Sequence, residues 1–254
     1  MNNNIISHIG LKTLPLSLSG VTLGIMLAAA DYHVDWKVAL FLLLAVSLFH
    51  FLSNVKNAQE HSPESYKVFS KILLALAILC GLMTIYFTFG TIFILESFIL
   101  MIFGYFAVSS GLRHNIGAEP DSTRRMSGLY AFAFLGLMSF GGAYYICSHT
   151  FGSWILLLPA ACIGLFSTTT TDLGRKPMWR IALISAGWLA MTAYSCMRMF
   201  DFWHFLFVLT LPLFAYYLYV SAKSTEQDSD MRFISLTVLA FVLTAGFGFL
   251  VYLF

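Results

Sequence analysis

The sequence predicts an all-α fold, a polytopic membrane bundle of about nine transmembrane helices forming one integral domain over residues 1–254, and three observations predict it. Composition is the first: 59% of the 254 residues are hydrophobic and only 10% are charged, whereas a soluble domain carries roughly 25% charged residues. The second is a series of nine apolar runs of about the length that crosses a bilayer, roughly 17–25 residues. The third is the placement of basic residues, which crowd into alternate loops.

Taken in order, the runs cover 14–30, 38–53, 72–89, 91–112, 128–147, 153–170, 181–197, 202–220 and 233–254. The first follows Lys12 and ends in Ala28, Ala29 and Ala30, a pattern shared with cleaved signal peptides; because eight more apolar runs follow, it is read as an uncleaved span. Polar punctuation separates later runs: Ser62-Pro63 after the second, Glu119-Pro120-Asp121 after the fourth, Asp172-Leu173-Gly174-Arg175 after the sixth, and Ser224 to Asp230 after the eighth. Backbone amides in lipid must find partners within their own segment, so the runs are helices. A membrane β-barrel would alternate over shorter segments, and no such alternation is present.

Orientation follows from the basic residues. The amino-terminal segment and the loops after the second, fourth, sixth and eighth runs hold twelve of them, from Lys12, Lys56, Lys67 and Lys71 through Arg113, Arg124, Arg125, Arg175, Lys176 and Arg180 to Lys223 and Arg232. The other side holds Lys37 and Arg198. The amino terminus is therefore expected in the cytoplasm and the carboxyl terminus outside, in the cell (inner) membrane, which requires an odd number of spans. A net charge of +2 with no basic stripe excludes a nucleic-acid partner. Cys80, Cys147, Cys162 and Cys196 all lie in apolar runs without metal-ligand spacing and read as packing residues.

Several stretches resemble a known family. Leu11-Lys12-Thr13-Leu14-Pro15-Leu16-Ser17-Leu18-Ser19-Gly20, with Leu23-Gly24, is similar to the opening of UbiA-type membrane prenyltransferases, nearest to the 1,4-dihydroxy-2-naphthoate branch of menaquinone synthesis. Phe134-Leu135-Gly136 through Gly141-Gly142-Ala143-Tyr144-Tyr145 resembles the F-x-G…G-T-Y-Y stretch of that branch, and Leu158-Pro159-Ala160 with Ile163-Gly164-Leu165 matches its sixth span. The resemblance implies nine helices around a cavity whose cytoplasmic rim carries Asn54 and Asp172. It also implies Mg²⁺ held by aspartates, which neutralises a departing diphosphate while an allylic cation forms.

The residues for that chemistry are depleted. Where the family has N-D-x-x-D, this chain reads Asn54-Val55-Lys56-Asn57-Ala58-Gln59-Glu60-His61; the asparagines align, but the aspartate positions fall on Ala58 and His61. Glu60 is one residue out of register, which on a helix turns it by about 100°. The second motif keeps one carboxylate, Asp172, in Thr168-Thr169-Thr170-Thr171-Asp172-Leu173-Gly174-Arg175-Lys176-Pro177. Gly128 stands where the cap after the fourth helix would carry an aspartate. The first reading is a UbiA-like scaffold without Mg²⁺-dependent prenyl transfer. It has no expected metal or cofactor, and binds membrane lipid or an isoprenoid, or serves as a subunit beside a membrane-protein partner. The alternative is an active prenyltransferase using Mg²⁺ to join a polyprenyl chain to an aromatic acceptor such as 1,4-dihydroxy-2-naphthoate.

Candidate substrate-binding residues are Asn54, Asn57, Asp172, Arg124, Arg125, Arg175 and Lys176. Asp172 with Arg175 and Lys176 forms either a phosphate-binding corner or a helix end with ordinary cytoplasmic charges, and Arg124 with Arg125 reads the same two ways. His50 lies one turn before Asn54 and is expected to bond within the helix. Arg198 and Asp201 are expected to pair locally. Glu96 is read as interfacial, and Thr168 to Thr171 as bonding their own backbone.

Overall fold

The computed structural model describes residues 14–59, 65–114, 128–170, 176–198, 207–223 and 229–253. Among these residues the secondary structure is entirely helical and falls into nine rods. They are α1 (Leu14–Asp31), α2 (Trp36–Gln59), α3 (Ser65–Phe89), α4 (Leu95–His114), α5 (Gly128–Ser148), α6 (Trp154–Thr168), α7 (Pro177–Met197), α8 (Phe207–Ala222, with Lys223 as its last helical residue) and α9, made of Ser229–Phe241, Val242–Gly246 and Phe247–Leu253 in succession. Each rod coincides with one of the nine apolar runs. By length and composition α1, α2, α3, α5 and the Ile234–Leu253 part of α9 are long and apolar enough to cross a membrane, while Leu95–Tyr105, α6 and α8 are shorter apolar helices.

Several rods outrun their apolar stretches, and each extension includes polar residues. α2 continues through Asn54 to Gln59, α3 begins at Ser65, α7 at Pro177 and α9 at Ser229. Hydropathy marks only the part suited to hydrocarbon, whereas the helical hydrogen-bond ladder runs on until its caps. Pro177 is well placed as the first residue of α7, because its missing N–H would have no helical partner there and its fixed φ suits a helix start.

The direction of the rods follows from contacts between their ends. Ser17 near the start of α1 meets His50 near the end of α2, and Thr168 at the end of α6 meets Gly128 at the start of α5. At the opposite face, Asp31 ending α1 meets Arg198 just past α7, and the Trp36 ring opening α2 meets Tyr252 near the end of α9 edge-to-face at 5.5 Å. There too Lys37 Nζ lies over the Phe87 ring of α3 at 5.9 Å, a cation–π pair. Odd-numbered rods thus run one way and α2 and α6 the other. The described basic residues other than Lys37 and Arg198 gather at the face where α1 begins, called here the basic face.

α1 is the hub of the bundle and packs against α2, α5, α6 and α9. Leu23, Ile25, Leu27 and Ala28 are fully buried in a core shared with Phe140 and Tyr144 of α5, Ile163 and Phe166 of α6, Met191 and Tyr194 of α7, and Leu243 and Phe247 of α9. Close approach at two seams depends on glycine. A Cβ on Gly24 would sit 2.5 Å from the Phe140 carbonyl oxygen of α5, and one on Gly136 would sit 2.6 Å from the Gly164 amide nitrogen of α6. Small residues allow such backbone contact, which in lipid carries much of helix association. By contrast, α3 and α4 turn large apolar residues outward, among them Ile72, Leu79, Tyr86, Phe98 and Ile102.

Candidate functional site

The polar groups of the basic face begin on α2. His50 is linked across helices: Ser17 Oγ lies 2.9 Å from its Nδ1. One turn on, Asn54 Nδ2 lies 3.1 Å from His50 Nε2 and donates to the His50 carbonyl oxygen at 2.9 Å. That second bond fixes the amide, since only its nitrogen can face a carbonyl. With Ser17 Oγ at one ring nitrogen and the Asn54 amide at the other, His50 ties α1 to α2. The expectation that His50 bonds within its helix is met, and the link to Ser17 adds a tertiary contact the sequence did not signal.

The end of α6 lies at the same face. Thr168 donates both to Gly164 O at 2.8 Å and to Gly128 O at 3.2 Å, while Thr169 and Thr170 donate to the carbonyls of Phe166 and Ser167. Thr168, Thr169 and Thr170 do bond backbone, as expected, and Thr168 also stitches α6 to α5, while Thr171 lies outside the described residues. Gly128, where the resemblance would call for an aspartate, is buried and contributes its carbonyl to that stitch. Lys176 is exposed immediately before α7, with its carbonyl accepting from the Arg180 amide at 3.1 Å. Arg180 itself is buried, at 8% exposure. The sequence counted it only among the cytoplasmic charges; its place on the Arg180–Ile184–Gly187–Met191 stripe of α7 was the available signal.

Of the predicted site residues, then, the structure places Asn54 and Lys176 at the basic face. Asn57 lies on the same helix as Asn54, with its side chain outside the description. Asp172, Arg124, Arg125 and Arg175 lie outside the described residues, as do Glu60, His61, Glu64, Glu119 and Asp121. Among the described residues no group of three or more His, Cys, Asp or Glu side chains is placed to hold a metal.

A second polar cluster occupies the opposite face and was missed by sequence reasoning. Arg198 Nη2 meets Asp31 Oδ2 at 2.5 Å, Arg198 Nε donates to Tyr194 Oη at 3.3 Å, and Tyr144 Oη donates to Asp31 Oδ2 at 3.5 Å. The Tyr32 ring meets Tyr144 edge-to-face. The expected local partner of Arg198, Asp201, lies outside the described residues; the partner described is Asp31, on a different helix. Burial works against the Arg198 charge, but Tyr194 and Asp31 outweigh it and raise its pKa. The usable signal was scarcity: only Lys37 and Arg198 carry positive charge on that side, so an acid ending α1 had few possible partners.

Comparison with known proteins adds the following. No family model matches the chain. It is 20% identical over 247 residues to the 1,4-dihydroxy-2-naphthoate octaprenyltransferase of Escherichia coli, covering 80% of this chain and 79% of that protein. It is 22% identical over 152 residues to the enzyme of the same name from Haemophilus influenzae, covering 51% and 49% respectively. These likenesses support a distant relationship to UbiA-type prenyltransferases. With its apolar helices they also mark the chain as a membrane protein.

Proposed function

We propose that this protein is a nine-span, UbiA-like membrane protein that has given up Mg²⁺-dependent prenyl transfer and binds an isoprenoid or membrane lipid, alone or as a subunit of a membrane complex. In this reading the amino terminus faces the cytoplasm and the carboxyl terminus lies outside the inner membrane. The observation that carries it is the occupation of the two aspartate positions of the resembled motif by Ala58 and His61. Mg²⁺ supplies several kcal/mol to a departing diphosphate, and each 1.36 kcal/mol withheld slows the step tenfold. Without it, the rate falls by about a thousandfold or more.

The second reading, an active prenyltransferase with a divergent site, is favoured by the likeness to two octaprenyltransferases, one of them across most of both chains. One experiment separates the two. Purified protein in lipid nanodiscs receives an isoprenyl diphosphate, 1,4-dihydroxy-2-naphthoate and Mg²⁺, with the E. coli relative as positive control, and lipids that co-purify are identified by mass spectrometry. The expected result is no prenylated product above background, with an isoprenoid or specific lipid retained. Mg²⁺-dependent turnover overturns the first reading and establishes the second.

A further inference from the structure

The two most exposed aromatic rings among the described residues are Phe151, at 85%, and Phe93, at 80%. Both belong to short loops at the opposite face, Phe93 between α3 and α4 and Phe151 between α5 and α6. The Phe89 and His149 rings meet edge-to-face at 5.7 Å and so bring the two loops together. Neither loop is slack. Gly90 and Gly152 turn the chain through positive φ, +72° and +65°. In the first loop the Phe93 amide donates to Thr91 Oγ1 at 3.2 Å, and Ser97 of α4 donates to the Thr91 carbonyl at 3.3 Å. In the second, Phe151 stacks on Tyr145 with ring centroids 4.6 Å apart, and the Ile155 amide donates to Ser153 Oγ at 3.5 Å. Rigid backbone therefore holds two large apolar rings outward, where burial within the chain does not reach them.

The level of these loops in the membrane follows from their neighbours. A Cβ on Gly152 would lie 2.8 Å from Cε1 of the Tyr144 ring, and the Tyr144 hydroxyl donates to Asp31. The α5–α6 loop is thus level with the partly exposed Asp31–Arg198 pair. Charged groups facing hydrocarbon are costly, so this level lies outside the hydrocarbon core. Phenyl rings open to bulk water are also unfavourable. The two requirements meet in the headgroup layer, about 5–7 Å deep in each leaflet, where aromatic side chains collect in membrane proteins. Trp154, which opens α6, and Trp36, which opens α2, are exposed at the same face.

We propose that the α3–α4 and α5–α6 loops form an aromatic anchor that docks in the lipid headgroup layer at the opposite face, with Phe93, Phe151 and Trp154 at its boundary with the acyl chains. Lipid is the partner this surface fits. Contacts between helices in this protein rest on small residues: Gly24 and Gly136 at their seams, and Ser70, Ala77 and Thr84 among the buried residues of α3. The surface continuing from the two loops is instead made of large apolar side chains, Leu95, Phe98 and Leu157. The inference does not depend on which ligand the protein binds. Fluorine NMR of the fluorotryptophan-labelled protein in nanodiscs tests it, with the Trp154 signal assigned by its loss in Trp154→Phe. Three paramagnetic reagents are compared: a lipid nitroxide beside the headgroup, one at the acyl-chain end, and a gadolinium chelate in the water. The headgroup nitroxide should broaden Trp154 most, by at least about twice as much as the chain-end one. Trp154 broadened most by the chelate, most by the chain-end nitroxide, or by none of the three overturns the proposal: the loops would then stand in water, lie in hydrocarbon or be covered by protein. Phe93→Ser combined with Phe151→Ser should shift Trp154 toward the chelate. Trp188, packed between Phe207 and Phe214, should keep its signal and so report an intact fold. An unmoved Trp154 in a folded double variant also overturns the proposal, because the two rings would then anchor nothing; if the double variant fails to fold, the profile of the unmodified protein decides.

Discussion

Replacing Gly136 by alanine isolates the α5–α6 seam. The added methyl would lie 2.6 Å from the Gly164 amide nitrogen and 2.9 Å from the Ala160 carbonyl oxygen, both backbone atoms that cannot rotate aside. Ordinary contact begins near 3.4 Å, so the two helices must part by the better part of an ångström. Overpacking of this kind costs about 1–3 kcal/mol. The seam also loses backbone contact that no hydrophobic drive in lipid replaces. Gly142, two turns along the same helix, is the control: nothing lies within 4 Å of its would-be Cβ, and alanine there gains up to about 1 kcal/mol of helix propensity. Thermal unfolding in one detergent, followed by size-exclusion chromatography of heated samples, should place Gly136→Ala below the parent and Gly142→Ala at or above it. At about 2–4 °C per kcal/mol for a chain of this size, the gap of about 1–4 kcal/mol between the two variants is roughly 2–16 °C. A Gly136→Ala protein as stable as Gly142→Ala would refute the reasoning, because the seam would then have slack that the backbone geometry denies.

Two further outcomes follow from the opposite face and from the charge pattern. The Asp31 and Arg198 side chains are 31% and 35% exposed, so a double-mutant cycle with Asp31→Asn and Arg198→Gln should give a coupling of only about 0.5–1 kcal/mol, falling as salt is raised; zero coupling at low salt would mean that the pair contributes nothing. For orientation, a membrane-impermeant maleimide applied to intact cells in a Cys196→Ser background should label Phe151→Cys, in the exposed loop between α5 and α6, and spare Lys176→Cys at the basic face. The reverse pattern would invert the proposed topology.

The sequence by itself determined what depends on composition along the chain. Apolar run length located the nine rods among the described residues, because a helix in hydrocarbon must satisfy its own backbone, although only five of them are long and apolar enough by themselves to cross. The basic residues separated the two faces for a similarly local reason, the cost of carrying charge through the bilayer. It also located the polar end of α2, where Asn54 does bond with His50. What the sequence left open are the pairings between helices, which depend on which faces meet. Nothing local links Asp31 to Arg198, Ser17 to His50, or Thr168 to Gly128, residues 167, 33 and 40 positions apart. Glycines that carried the resemblance, Gly24, Gly136 and Gly164, became packing seams only once α1, α5 and α6 were brought together. Arg180 looked like one more cytoplasmic charge until the α7 stripe turned it inward. The π-helical turns of α5 and α9 were hidden as well, because Ala131–Met138 and Val242–Gly246 are apolar segments whose hydropathy is that of any α-helix.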